Sequence, residues 1–138
     1  MCKIFQKLHK FGFHDACVTG IEVDESQICL VFSKGVYKLD IYGKETSLTK
    51  KCVLKITFKK DYNIDIFNAI DIVFVSKKGR RLIDSEDILS IVKNENLTIQ
   101  NIYWSDFNNT ILIECGNSKG GYYIKFEDCL DISYQIDL

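Results

Sequence analysis

Within GFHDACV, residues 12 to 18, three side chains able to do chemistry fall close together: His14, Asp15 and Cys17. Such groups hold metals, relay protons or form activated nucleophiles when they converge on one point. Convergence requires a common face. From Val18 onward the apolar period is two, which places this segment at the start of a strand. There, adjacent side chains leave on opposite sides, and positions i and i+3 also diverge. His14 and Asp15 are therefore not expected to chelate one ion, nor His14 to activate Cys17. The chain's other histidine is His9, whereas metal-binding HD doublets of phosphohydrolases draw further histidines from helices. His14 is expected to hydrogen-bond locally, and Asp15 to hold a turn or free backbone amides. No catalytic residue, metal or cofactor is assigned, and an enzyme using His14 and Asp15 is a minor alternative.

Other clusters read more simply as structure. The KKGRR run, residues 77 to 81, with Lys50, Lys51, Lys55, Lys59 and Lys60, could meet phosphates. The nearby aromatics mostly take the inward phase, so the run reads as a charged turn and nucleic acid is not an expected partner. GNSKGG, residues 116 to 121, lies between two strand patterns and does not lead into a helix, which makes it a hairpin loop and not a phosphate cradle. Among Glu114, Glu127, Asp128 and Asp131, no spacing selects an acid/base pair.

The elements that must position these groups are mostly strands. Val18 to Ile41 reads as three strands of a meander, broken at ESQ and at Ser33-Lys34-Gly35. Gly43 to Thr49 reads as a polar loop. CVLKITFKK then alternates Cys52, Leu54, Ile56 and Phe58 against Lys55, Thr57 and Lys59, the mark of an antiparallel sheet with one wet face. IDIVFV, residues 70 to 75, is a further strand, returned by Ser76 to Gly79 into Arg80 to Ile83. Asp84 or Ser85 is expected to cap a helix carrying Ile88, Leu89, Ile91 and Val92. A short N-terminal helix would align Ile4, Leu8 and Phe11 and stop at Gly12. Strands over Leu97–Trp104, Thr110–Cys115, Tyr122–Glu127 and Leu130–Asp137 complete the pattern.

Phase slips at Val18–Ile21 and Ile99–Ile102 suggest a β-bulge in each half. Gly35-x-Tyr37-x-Leu39 likewise parallels Gly120-x-Tyr122-x-Ile124. Half-repeats 13–60 and 95–138, each a four-strand meander, would be joined by the helix-bearing segment. The expected fold is α+β within a single domain over residues 1–138. It has about eight mainly antiparallel strands in a curved sheet, sandwich or barrel, and one or two helices.

A chain of 138 residues with 46% apolar content can bury a core without staples. The six cysteines show no C-x-x-C spacing and fit a reduced compartment. Residues 1 to 15 lack the features of a signal peptide, and no run is long and apolar enough to span a bilayer; a cytoplasmic location and no membrane partner are expected. Residues 1 to 81 carry 15 Lys/Arg against 9 Asp/Glu, and residues 82 to 138 carry 3 against 10. If the fold separates those parts in space, the acidic one could steer a basic partner; if they interleave, they cancel.

FHDACVTGIEVDESQICLVFSKGVYKL, residues 13 to 39, resembles a pattern of small uncharacterised bacterial proteins in which F/L-H-D-A/S precedes two or three strands. Some of these are similar to immunity proteins of contact-dependent or polymorphic toxin systems, which bind and block a toxin. The resemblance implies a protein-binding role and carries over no catalytic residue. A basic toxin domain would be drawn to an acidic segment. Asp106, Glu114, Asp131 and Asp137 are then contact candidates, with Trp104 or Tyr103 as an aromatic anchor. A homodimer remains open. A small-ligand carrier is the alternative if the sheet closes into a barrel around a cavity.

Overall fold

Apolar residues at every second position demand sheet, because only a strand turns alternate side chains to one side. The computed structural model describes residues 3–59 and 66–137, and among these it has thirteen strands and two α-helices. Helix α1 (Lys3–Leu8) precedes β1 (Phe11–Gly12), β2 (Cys17–Val18), β3 (Gly20–Val23) and β4 (Gln27–Phe32). Next come β5 (Tyr37–Leu39), β6 (Glu45–Leu48) and β7 (Cys52–Phe58). A 3-10 turn at Ile66–Ala69 leads to β8 (Ile70–Ser76) and β9 (Gly79–Ile83), and another at Ser85–Asp87 opens helix α2 (Ile88–Asn94). The remaining elements are β10 (Leu97–Ser105), a 3-10 turn at Phe107–Asn109, β11 (Thr110–Asn117), β12 (Gly120–Phe126) and β13 (Cys129–Ile136).

All strand pairs are antiparallel. One sheet has six strands in the order β2-β10-β11-β12-β8-β9, a second has four in the order β13-β7-β4-β3, and β1-β5-β6 form a small third. The two larger sheets each bury one phase. Cys52, Leu54, Ile56 and Phe58 of β7 are buried, as the alternation predicts. Ile111, Ile113 and Cys115 of β11 and Tyr122, Ile124 and Phe126 of β12 do the same in the six-stranded sheet. The rings of Phe58 and Phe126 meet with centroids 6.4 Å apart, and the buried side chains form one contiguous cluster. The sheets do not close into a barrel, so the barrel is removed from the expected architectures.

Several elements depart from expectation, each for a local reason. The strands number thirteen instead of about eight, partly because residues 43–49, expected as a loop, contain β6. The phase slip at Val18–Ile21 is a change of sheet and not a bulge: β2 pairs with β10, while β3 pairs with β4. Thr19 holds that crossing, donating its N–H to the Val31 carbonyl at 2.8 Å and accepting the Ser33 N–H on Oγ1 at 3.0 Å. The second expected bulge is present, as a register shift between Ile99 and Asn101. Helix α1 ends at Leu8 without Phe11 or Gly12, both of which belong to β1. Its last turn is held by the half-buried Tyr134, whose hydroxyl donates to the Lys7 carbonyl at 2.7 Å.

Ile41 lies outside β5, in a turn held by Asp40, whose Oδ1 accepts the N–H groups of Tyr42 and Lys44 at 2.8 and 2.9 Å. Leu130 is pushed outward by a register shift between Cys129 and Asp131, which breaks the simple alternation expected of β13. Neither Asp84 nor Ser85 caps a helix with its side chain; the Ser85 hydroxyl instead donates to the Ile70 carbonyl and ties the helical segment to β8. On the expected stripe of α2, Ile88, Ile91 and Val92 are buried while Leu89 is exposed. Between β4 and β5 the turn needs Gly35, at φ +85, because a Cβ there would strike the Thr49 carbonyl. The two proposed half-repeats part company at the third strand: β12 pairs with β11, whereas β5 leaves β4 for β1 and β6. Cys2 and Lys60 lie outside the described residues.

Ile56 and Phe126 are both 0% exposed on facing sheets. Ile56→Ala should cost about 2–5 kcal/mol and Phe126→Ala about 3–5 kcal/mol of unfolding free energy, read from urea midpoints at unchanged slope.

Candidate functional site

The HD doublet is a turn docked on a strand edge. Phe13 and Ala16 are buried and anchor it, with the Ala16 N–H closing on the Phe13 carbonyl at 2.9 Å. Asp15 takes a left-handed conformation, φ +65, which aspartate tolerates better than most residues. The segment pairs with β10 through Asp15 N–H to Ile99 O and Ile99 N–H to Ala16 O, both 2.8 Å. The expected divergence of His14 and Asp15 is corrected here. They sit at a turn instead of in a strand, and Nε2 of His14 approaches Oδ2 of Asp15 to 3.5 Å. Nδ1 of His14 donates to the Gln100 carbonyl at 3.1 Å. Both side chains are well exposed, and among the described residues no three His, Cys, Asp or Glu groups are placed to hold a metal.

The six partner-contact candidates do not share one surface. Trp104 is half-buried against the core and donates Nε1–H to Asp106 Oδ1 at 2.8 Å. With Asp131 it borders a cleft beside α1 that also presents Lys3, Lys7 and Lys59. Asp131 pairs with Lys7 at 2.8 Å, and that contact, more than any other, holds its carboxyl below the usual range. Asp137 lies at another cleft, beside Lys10, Lys38 and Lys50. The acidic part of the chain therefore makes no single acidic face. β13 pairs with β7 and β12 with β8, so strands of the two parts adjoin at these seams, where Lys125 lies opposite Asp71.

Tyr103 and Glu114 remain, and they lie on the outer face of the six-stranded sheet. The registers put Asn101, Glu114, Tyr123, Val73 and Leu82 in one cross-strand row over five strands. Tyr103, Leu112, Lys125 and Asp71 form the adjoining row. Tyr123, Val73 and Leu82 are contiguous, with Leu112 and Val75 beside them, and they line a groove of about 870 Å³. Leu82 is 83% exposed and Tyr103 46%. Arg80, Lys125, Asp71 and Asp84 rim the groove. Of the two aromatics, Tyr103 is the one that faces outward, and the neighbouring Glu114 carboxylate raises its phenol above the ordinary value.

Three of the residues that make this face, Val73, Leu82 and Tyr123, were not singled out by sequence. The available signal was the continuous apolar run Val73-Phe74-Val75, followed across the sheet by Tyr122-Tyr123. A strand apolar in both phases has something to cover on both faces. Of the KKGRR run expected as a charged turn, only Lys77-Lys78 forms the tip of the β8–β9 hairpin; Gly79, Arg80 and Arg81 belong to β9. The closed barrel on which the small-ligand alternative is conditioned is not formed: the sheets stay open, and their inner faces carry the buried side chains of the core. Burial raises the thiols of Cys115 and Cys129 to about 12 and Cys52 to about 11, far from the values of activated nucleophiles. No protein-family model matches the chain, and comparison with curated proteins and with solved structures gives no match.

Two titrations check the electrostatics. His14 should titrate above 6.5 by NMR, first because of the Gln100 carbonyl and second because of Asp15. Asp15→Asn should lower that midpoint without bringing it to 6.5. The folded value is raised, so the associated stability is present below pH 6.5 and is lost as pH rises through the folded midpoint. Glu114→Gln should let Tyr103 ionise at lower pH than in the wild type, read by phenolate absorbance.

Proposed function

We propose that the protein is a protein-binding domain whose contact surface is the outer face of the six-stranded sheet. The supporting observation is the apolar row Tyr123–Val73–Leu82, which crosses three strands with one member 83% exposed. Exposed apolar surface that is contiguous and rimmed by charge is what partner contacts use, whereas scattered apolar residues are ordinary. Covering the row removes apolar area from water and supplies affinity. The rim charges Arg80, Lys125, Asp71 and Glu114, of both signs, orient the partner and exclude mismatched ones. Tyr103 and Tyr123 add broad rings of limited flexibility, a common form of binding anchor.

Neutralisation of a toxin by direct binding is the specific form that the Phe13-His14-Asp15-Ala16 resemblance suggests. The charges around the groove, Arg80 and Lys125 with Asp71 and Asp84, are of both signs and give no reason for that toxin to be basic. The four motif residues also have a local structural role, as the docked turn beside β10.

Leu82→Asp with Tyr123→Ala should abolish capture of the partner from source cells. A control change at the equally exposed Ile41, Ile41→Asp, should retain it. Loss from both variants, or from neither, would sink the assignment of this face. Leu82→Asp and Ile41→Asp should each change stability by about 0.5 kcal/mol or less, and Tyr123→Ala, which loses cross-strand contacts to Glu114 and Val73, by about 1 kcal/mol, so all three variants should stay folded. If the captured protein is a toxin, stoichiometric addition of the wild-type domain should block its activity and the face variant should not.

A further inference from the structure

The outer face ends at β9, and that edge has its own chemistry. β9 is the terminal strand of the six-stranded sheet, and among the described residues no other element pairs with its far side. In an antiparallel ladder alternate residues turn N–H and C=O away from the partner strand, so β9 presents a row of open donors and acceptors. Its two sides differ. Arg80 and Leu82 point to the groove with Val73, Val75 and Tyr123. Arg81 points to the other side, its guanidinium 5.6 Å over the Phe74 ring, into a cleft of about 520 Å³ shared with Lys77, Lys78 and Lys119. Glu95 is the acidic member of that cleft, 3.9 Å from Lys119.

We infer that β9 is a docking edge for an extended acidic segment of a protein partner, which joins the sheet as a seventh strand. The inference rests on the protein-binding reading and names the form the partner takes. A strand added there would send alternate side chains to the two sides. On one side an apolar residue covers Leu82 and reaches the groove; on the other, carboxylates meet Arg81, Lys77 and Lys78. A second copy of this chain is the poorer occupant, because antiparallel β9–β9 pairing would bring the arginine pairs of two copies together. Basic residues on an edge can serve to repel other strands. An 83% exposed leucine on the same strand, pointing into the groove, works against that purpose and favours docking.

The test uses a synthetic peptide alternating glutamate and valine, added to the full-length isotope-labelled protein. Binding should shift the resonances of Gly79–Ile83 and protect β9 amides from exchange. A lysine-for-glutamate peptide, or the Arg80→Glu/Arg81→Glu protein, should bind about tenfold or more weakly. N-methylating alternate peptide amides should abolish binding in one of the two phases and spare it in the other, a readout that leaves the protein untouched. Absence of binding, or binding indifferent to N-methylation in both phases, overturns strand addition. If the natural partner is lost on Leu82→Asp/Tyr123→Ala yet unaffected by Arg80→Glu/Arg81→Glu, the face stands and the edge falls. If it is affected by neither, both fall.

Discussion

Everything in this fold follows from burying alternate apolar residues between two antiparallel sheets. Because the side-chain period of a strand is two, a slip of one residue would send the whole inner row to water. The facing rows are long and mostly isoleucine, leucine and phenylalanine, and Phe58 and Phe126 mark where they touch. That shared core settles the registers, and the registers in turn settle what lies outside. Helix α1, at six residues, is too short to persist alone, and it is held by Ile4 and Leu8 in the core and by the Tyr134 hydroxyl on its last turn.

The same constraint explains why a candidate binding surface exists on only part of the outside. On β7 the outward phase is Val53, Lys55 and Thr57, all half-buried and two of the three polar. On β8, β9 and β12 the outward phase includes Val73, Val75, Leu82 and Tyr123 among the charged Asp71, Arg80 and Lys125, while Ile72 of β8 and Tyr122 and Ile124 of β12 already fill the core on the other side. The core does not need the second apolar phase, so it is available to a partner. It lies beside β9, whose far edge no other described element pairs, so exposed apolar side chains and open backbone groups sit in one place.

The Phe13-His14-Asp15-Ala16 turn carries chemical side chains on a segment that has an architectural role. The aspartate takes a left-handed backbone, its N–H completes a ladder bond to Ile99, and the flanking phenylalanine and alanine are buried. The histidine and aspartate do approach each other, contrary to the strand-based expectation, because a turn brings neighbouring side chains to the same side. Both are exposed, with the imidazole favoured in its protonated form chiefly by a backbone carbonyl.

Period-two patterns in Cys52–Phe58, Thr110–Cys115 and Tyr122–Phe126 were enough to read strand positions, antiparallel pairing and the inward phase, because alternation is a local property of extended backbone. The bulge in β10 was legible for the same reason. Sequence alone could not distinguish a bulge from a change of sheet at Thr19, since both shift the phase by one residue; only the partners on either side, β10 and β4, separate them. Nor could it sort the charges, because the net charge of a segment says nothing of its neighbours when strands distant in the chain lie side by side. Tyr123, Val73 and Leu82 are fifty residues apart at the extremes of Val73 and Tyr123. They became a row only when tertiary pairing set β12, β8 and β9 next to one another.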